Sequence, residues 1–140
     1  MTKRNDHPTA RIVAASVLAF GLAAAAIAGP QRLSDRGHPI LIGGVGTEER
    51  DAMLEARSAY NLWLVFVERG TGNYLTGVKV TVADDSGNAV IDAVAQGPWL
   101  MAQLPPGHYT VRTARSEVQS VTVGHAGRAM AVIRLEPSES

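Results

Sequence analysis

Residues 41–54 read LIGGVGTEERDAML. Three glycines among small apolar residues lead into a helix-like stretch, which is how many phosphate-cradling loops look. Such loops work because backbone N–H groups converge at a helix N-terminus, where the dipole favours an anion. The details here point away from that chemistry. A P-loop needs GxxxxGK[ST], with Lys on the phosphates and Ser or Thr on Mg²⁺. Thr47 follows Gly46, and the next lysine is Lys79. A dinucleotide fingerprint needs GxGxxG inside a βαβ unit. Glu49 stands where the third glycine belongs, and Glu48 and Glu49 would repel a phosphate. The glycines are therefore expected to turn the chain into a helix at close quarters.

Other candidate chemistry is equally sparse. Beyond residue 28 the histidines are His38, His108 and His125, with no HxH or HExxH spacing. A zinc site needs three or four converging ligands, and these three fall in separate segments. Asp84, Asp85 and Asp92 could suggest Ca²⁺, but an EF-hand needs the longer DxDxDG pattern closed by Glu. Asp-Asp-Ser-Gly-Asn at 84–88 reads instead as a hairpin turn. There is no GxSxG elbow for a serine nucleophile and no cysteine for thiol catalysis or thiolate metal binding. The expectation is a protein without catalytic, metal or cofactor residues. The residues left for a binding surface are aromatic. Trp99 either packs in the core or lies at an edge, forming a platform with Tyr74 or Tyr109.

The segments that would position these residues fall into three parts. Lys3, Arg4 and Arg11 precede an uncharged apolar run at residues 12–28, which ends Ala26-Ile27-Ala28 before Gly29-Pro30. Basic start, apolar middle and a small-residue end describe an export signal. Cleavage after Ala28 would leave 112 residues for the periplasm or beyond. The alternative is an uncleaved anchor in the inner membrane, for which this run is at the short end of a span. The exported part carries 10 basic and 12 acidic residues, which gives no reason to expect nucleic acid. An exported domain without disulfides must be held by its core alone.

Residues 29–46 read as a polar linker followed by a short apolar turn. Residues 47–60 then predict a helix, with Thr47 as N-cap, acids in the first turn, and Met53, Ala56 and Tyr60 at helical spacing. From residue 61 the texture is β: about seven short apolar or alternating stretches, with turn signals at sandwich spacing. Val78, Val80 and Val82 share one face; so do Tyr109, Val111 and Thr113. In the last strand Ile133 and Leu135 are expected inside, rather than Met130, Val132 and Arg134. No stretch is long enough for a crossover helix, which argues for an antiparallel sheet.

The most specific stretch is GPWLMAQLPPGHYTVR, residues 97–112. A strand ending in Leu, a Pro-Pro-Gly turn and an aromatic-Thr-Val opening follow one another. Upstream lie Gly77-Val78-Lys79-Val80, the Asp-Asp-Ser-Gly-Asn turn and Ala89-Val90-Ile91. Residues 62–135 resemble the carboxypeptidase regulatory-like domain, a transthyretin-like, Ig-like seven-stranded sandwich. The resemblance implies a domain at 61–136, a tail at 137–140, and a non-catalytic role. Transthyretin-like folds also include a hydroxyisourate hydrolase with a C-terminal Tyr-Arg-Gly-Ser, and this chain ends Arg134-Leu135-Glu136-Pro137-Ser138-Glu139-Ser140, without it. Independently of the family, Pro106 fixes φ for a turn, Gly107 is expected to supply the positive-φ conformation other residues avoid, and the Tyr109 hydroxyl should find a backbone partner.

The expectation for function is an exported, non-catalytic module that binds an envelope protein. The rivals are a carbohydrate-binding module, a cryptic hydrolase using His108 or His125, and a rigid spacer on an uncleaved anchor.

Overall fold

A computed structural model describes residues 29–137. The expected signal segment, residues 1–28, and residues 138–140 lie outside the described residues. Over the described residues the protein is mainly β, with nine strands and one short helix. The strands are β1 (Gln31–Asp35), β2 (His38–Gly43), β3 (Leu62–Glu68), β4 (Val78–Asp84), β5 (Ala89–Ala95), β6 (Trp99–Ala102), β7 (Gly107–Arg112), β8 (Gln119–Val123) and β9 (Ala129–Leu135). Helix α1 (Gly46–Ala56) continues into a 3-10 turn at Arg57–Ala59. A five-stranded sheet runs β1-β2-β6-β3-β9, and a four-stranded sheet runs β5-β4-β7-β8.

All seven strands expected from residue 61 onward are present, and two more precede them. Residues 31–43 are not a linker and turn but a β-hairpin, paired Gln31↔Ile42 through Asp35↔His38. Its loop has two residues, Arg36 at φ 50 and Gly37 at φ 85. Two successive positive φ values describe the tight turn whose twist suits a hairpin. The segment looked like a linker because β1 is an edge strand with four of its five residues exposed, so it carries no alternation. The helix also begins one residue earlier than expected. Thr47 lies inside it, Val45 is the N-cap, and no side chain caps from that position.

The expectation of wholly antiparallel pairing needs one correction. β3 and β9 pair in parallel, Leu62↔Ala129 through Glu68↔Leu135. Parallel neighbours need a long connection; here five intervening strands supply it in place of a helix.

Between the sheets lies the main core, built from alternate residues: Leu64, Phe66, Val80, Val82, Ile91, Leu100, Val111 and Ile133 among others. Ile133 and Leu135 point inward, as expected. A second cluster covers the outer face of the five-stranded sheet, with Leu41, Val65, Val67, Trp99 and Met101 under Met53 and Tyr60. The central strands β3 and β6 are therefore buried on both faces, which explains why they read as unbroken apolar runs.

Candidate functional site

The glycine loop comes first because it looked most like a ligand site. Gly44 has φ 97, and an added Cβ there would meet the Trp99 ring at 3.0 Å. The Glu49 carboxylate reaches back from α1 to accept the N–H groups of Gly44 at 3.1 Å and Val45 at 3.2 Å. Arg50 donates to the Gly44 carbonyl at 3.0 Å. The N–H cradle that could have held a phosphate already holds the chain's own anion. The loop ties the hairpin to the helix.

The Asp84 turn is closed in the same way. Its carboxylate accepts the N–H groups of Ser86 at 2.9 Å and Asn88 at 3.0 Å, and Gly87 takes φ 86. The histidines do not converge. His38 opens β2, His108 pairs with Thr122 across β7 and β8 at 3.0 Å, and His125 is exposed in the β8–β9 turn. Among the described residues no three His, Asp or Glu side chains gather as a metal ion would need.

The aromatic candidates do not form a platform. Trp99 is 7 % exposed and Tyr109 is 5 % exposed; only Tyr74, at 49 %, faces solvent. Trp99 packs on the outer face of the five-stranded sheet, edge to face with Trp63 (4.8 Å between centroids, 68°). Both indole N–H groups are buried without a hydrogen-bond acceptor. The edge-to-face contact places one positive ring edge on the other π face, which compensates at most one of them. Tyr109 is buried because its hydroxyl donates to the Pro105 carbonyl, closing the Pro-Pro-Gly turn. Burial, together with the charge of Asp84, raises the Tyr109 pKa above its ordinary value. Tyr74 stands under the Arg50 guanidinium, 5.7 Å from its ring centre. Gly107 also differs from expectation: it is not among the glycines at positive φ, and an added Cβ would find only ordinary contacts, the nearest at 3.8 Å.

What the structure does bring together lies at one end of the five-stranded sheet. Helix α1 packs beside β2 and leaves the β9 side of the outer face open. Strand pairing lines up Leu41, Met101, Trp63 and Met130 in one row across this face, and Gly43, Trp99, Val65 and Val132 in the next. The first row runs from buried Leu41 to Met130 at 58 % exposure. Beside it is a cleft of about 200 Å³ lined by Tyr60, Trp63, Met101 and Met130, with Arg57 and Arg128 at its rim. The Arg57 guanidinium lies 5.5 Å from the Trp63 ring centre.

β9 is also the free edge of its sheet. Ala129 donates its N–H to Asn61, and Leu135 accepts from Arg69. Odd-numbered residues of β9 thus direct their backbone groups toward β3. Alternation directs the N–H and C=O groups of Met130, Val132 and Arg134 away from β3, to a side where no described strand pairs with them; β8 and residues 116–119 lie close to this side without joining the ladder. The other edges are less available. β1 is polar. The N–H of Asp92 in β5 is taken by Asp35 at 2.6 Å, and Arg36 pairs with Asp92 at 3.5 Å. β8 has only five residues, against seven in β9.

The sequence offered one signal for this edge: Met130, Val132 and Arg134 as the face opposite Ile133. It offered none for the position of β9 at the end of its sheet, which depends on the parallel pairing with β3. Compared with known protein families and with curated proteins, the chain matches none.

Proposed function

We propose that this protein is an exported, non-catalytic interaction module of the cell envelope that docks a partner protein by strand addition along β9. One observation carries the reading. Three successive outward residues of a seven-residue edge strand, Met130, Val132 and Arg134, present backbone groups that have no strand partner among the described residues. An extended segment laid against such an edge gains main-chain hydrogen bonds for affinity and alternate side-chain contacts for specificity. Most exposed edges are protected by charge, proline or a bulge. β9 carries only Arg134 as a charge and continues into exposed Met130.

Export is supported by the leader-like residues 12–28. A carboxypeptidase regulatory-like identity rests on the motif at residues 97–112 alone; the two-sheet sandwich that contains it is compatible with that identity. A glycan partner would want an open aromatic surface, and burial of Trp99 and Tyr109 removes two of its three members.

The test is co-purification of the tagged chain from the envelope fraction, with the intact mass of the bait. A mass beginning at Gly29 and a protein partner lost on Val132→Pro support the proposal. A partner retained by that variant counts against strand addition. A full-length mass makes the leader an anchor.

A further inference from the structure

Resting on that reading, we infer that the cleft at the start of β9 recognises the C-terminal residue of the docked segment: an apolar side chain bearing a free α-carboxylate.

The first argument is chemical. The cleft has an apolar floor of Trp63, Met101 and Met130, and a rim of Arg57 and Arg128. Among the described residues neither arginine has a carboxylate partner; the ion pairs there are Arg36–Asp92 and Arg69–Glu136. Arg57, although exposed, lies over the Trp63 ring, so the cation stands beside the apolar floor. An apolar group with one negative charge beside it matches both surfaces. Guanidinium groups suit carboxylates because they present parallel N–H donors.

The second argument is size. About 200 Å³ accommodates one ring or one branched side chain, since a cavity of about 150 Å³ holds benzene. It is too small for a typical whole ligand, for which pockets run from about 300 Å³. The remainder of the ligand must lie outside.

The third argument is direction. The cleft is flanked by Arg128, Ala129 and Met130, the N-terminal end of β9. A segment antiparallel to β9 ends at the cleft and brings its carboxylate to the two arginines. A parallel segment would bring its N-terminal ammonium there, against like charge. The arginines therefore set the polarity of the docked strand, and the free edge beyond supplies pairing for the residues that precede the last one.

The test is fluorescence anisotropy of the full-length chain with three probes. One is a labelled hexapeptide of alternating Val and Thr ending in Phe with a free carboxylate; the second is its C-terminal amide; the third is 3-phenylpropionate as competitor. The expected result is that the acid binds about ten-fold or more tightly than the amide, the scale of a charge-assisted hydrogen bond. The double variant Arg57→Gln, Arg128→Gln should bind both peptides like the wild-type amide, with its thermal midpoint retained. Met130→Ala, which keeps both arginines and adds no charge, should weaken acid and amide alike. Equal binding of acid and amide to the wild type overturns the inference. So does 3-phenylpropionate binding as tightly as the peptide, because the site would then take free small acids. If no peptide binds while envelope capture still depends on Val132, carboxylate recognition fails and strand addition stands. Loss of both removes both.

Discussion

Gly97 provides the sharpest prediction about the fold. It sits in the turn between β5 and β6, immediately before Pro98, and its neighbour is the backbone of β2. A Cβ added at Gly97 would lie 2.3 Å from the Gly43 carbonyl oxygen, 2.6 Å from its carbon and 2.8 Å from its Cα. These atoms cannot swing aside as a side-chain tip can, because Gly43 is paired with Trp99 at the end of β2. Restoring an ordinary separation of about 3.5 Å requires the strand or the turn to move by about 1 Å. The strand that would move carries Leu41 and Ile42, which are buried in the two cores. Overpacking of a well-filled site costs about 1–3 kcal/mol, and backbone displacement belongs at the upper end. Gly97→Ala should therefore destabilise the protein by about 3 kcal/mol, or about 10–15 °C in Tm for a domain of this size. Gly107→Ala is the matched control. It lies in the Pro-Pro-Gly motif, but its Cβ would meet only the Tyr109 ring at 3.8 Å. There the loss of unfolded-state freedom should dominate, for a change between zero and about 1 kcal/mol of stabilisation. Urea unfolding followed by tryptophan fluorescence measures both, with the m-value as a check that the transition is comparable. A Gly97→Ala variant within 1 kcal/mol of wild type would refute the close approach, and a Gly107→Ala variant as damaged as Gly97→Ala would refute the account of that turn.

Proline scanning of β9 reads the direction of its backbone groups: Ala131→Pro should lose the ladder to β3 and about 3 kcal/mol or more, whereas Val132→Pro removes an outward N–H and should unfold at nearly the wild-type urea midpoint. Tyr109→Phe should cost about 1 kcal/mol at neutral pH through loss of the hydroxyl bond to Pro105. The raised pKa of Tyr109 keeps the phenol neutral in the fold. Wild-type stability is thus complete below the unfolded value near 10 and falls as pH rises through the folded one; Tyr109→Phe should show less of that alkaline decline in denaturation from pH 8 to 12. Arg36→Asn, which replaces a long side chain at φ 50 with a residue suited to that conformation, should raise stability by about 0.5–1 kcal/mol despite losing an exposed ion pair; a lower Tm would contradict the turn assignment.

The seven strands after residue 61 were legible because alternation and turn residues agree. Val78, Val80 and Val82 are all buried, and so are Tyr109, Val111 and Thr113. The hairpin at residues 31–43 was not, for two different reasons. β1 lies exposed at an edge, so solvent rather than a core chose its residues. β2 is buried on both faces, so Ile40, Leu41 and Ile42 read as a short apolar run without period. The clue that did exist was Arg36-Gly37, two residues that fit a hairpin loop. The glycine loop was read correctly as structural, but its physical reason became visible only in three dimensions, where Glu49 fills the cradle. The aromatic candidates failed because sequence does not say which face of β6 a helix will cover. Trp99 lies under the α1 layer, while Met130 in the neighbouring row does not. The edge position of β9 is a long-range property: it follows from which strand β3 pairs with, sixty-seven residues further along the chain and beyond any local pattern.

The central claim is that β9 is the docking edge. Site-specific photocrosslinking in living cells tests it most directly, with the photoreactive residue placed at Val132 in one strain and at Arg32 on the opposite edge in another. The account predicts one discrete protein adduct from position 132, lost when Arg134→Pro is added to the same edge, and no such adduct from position 32. The same adduct from both positions, or from position 32 alone, would contradict it.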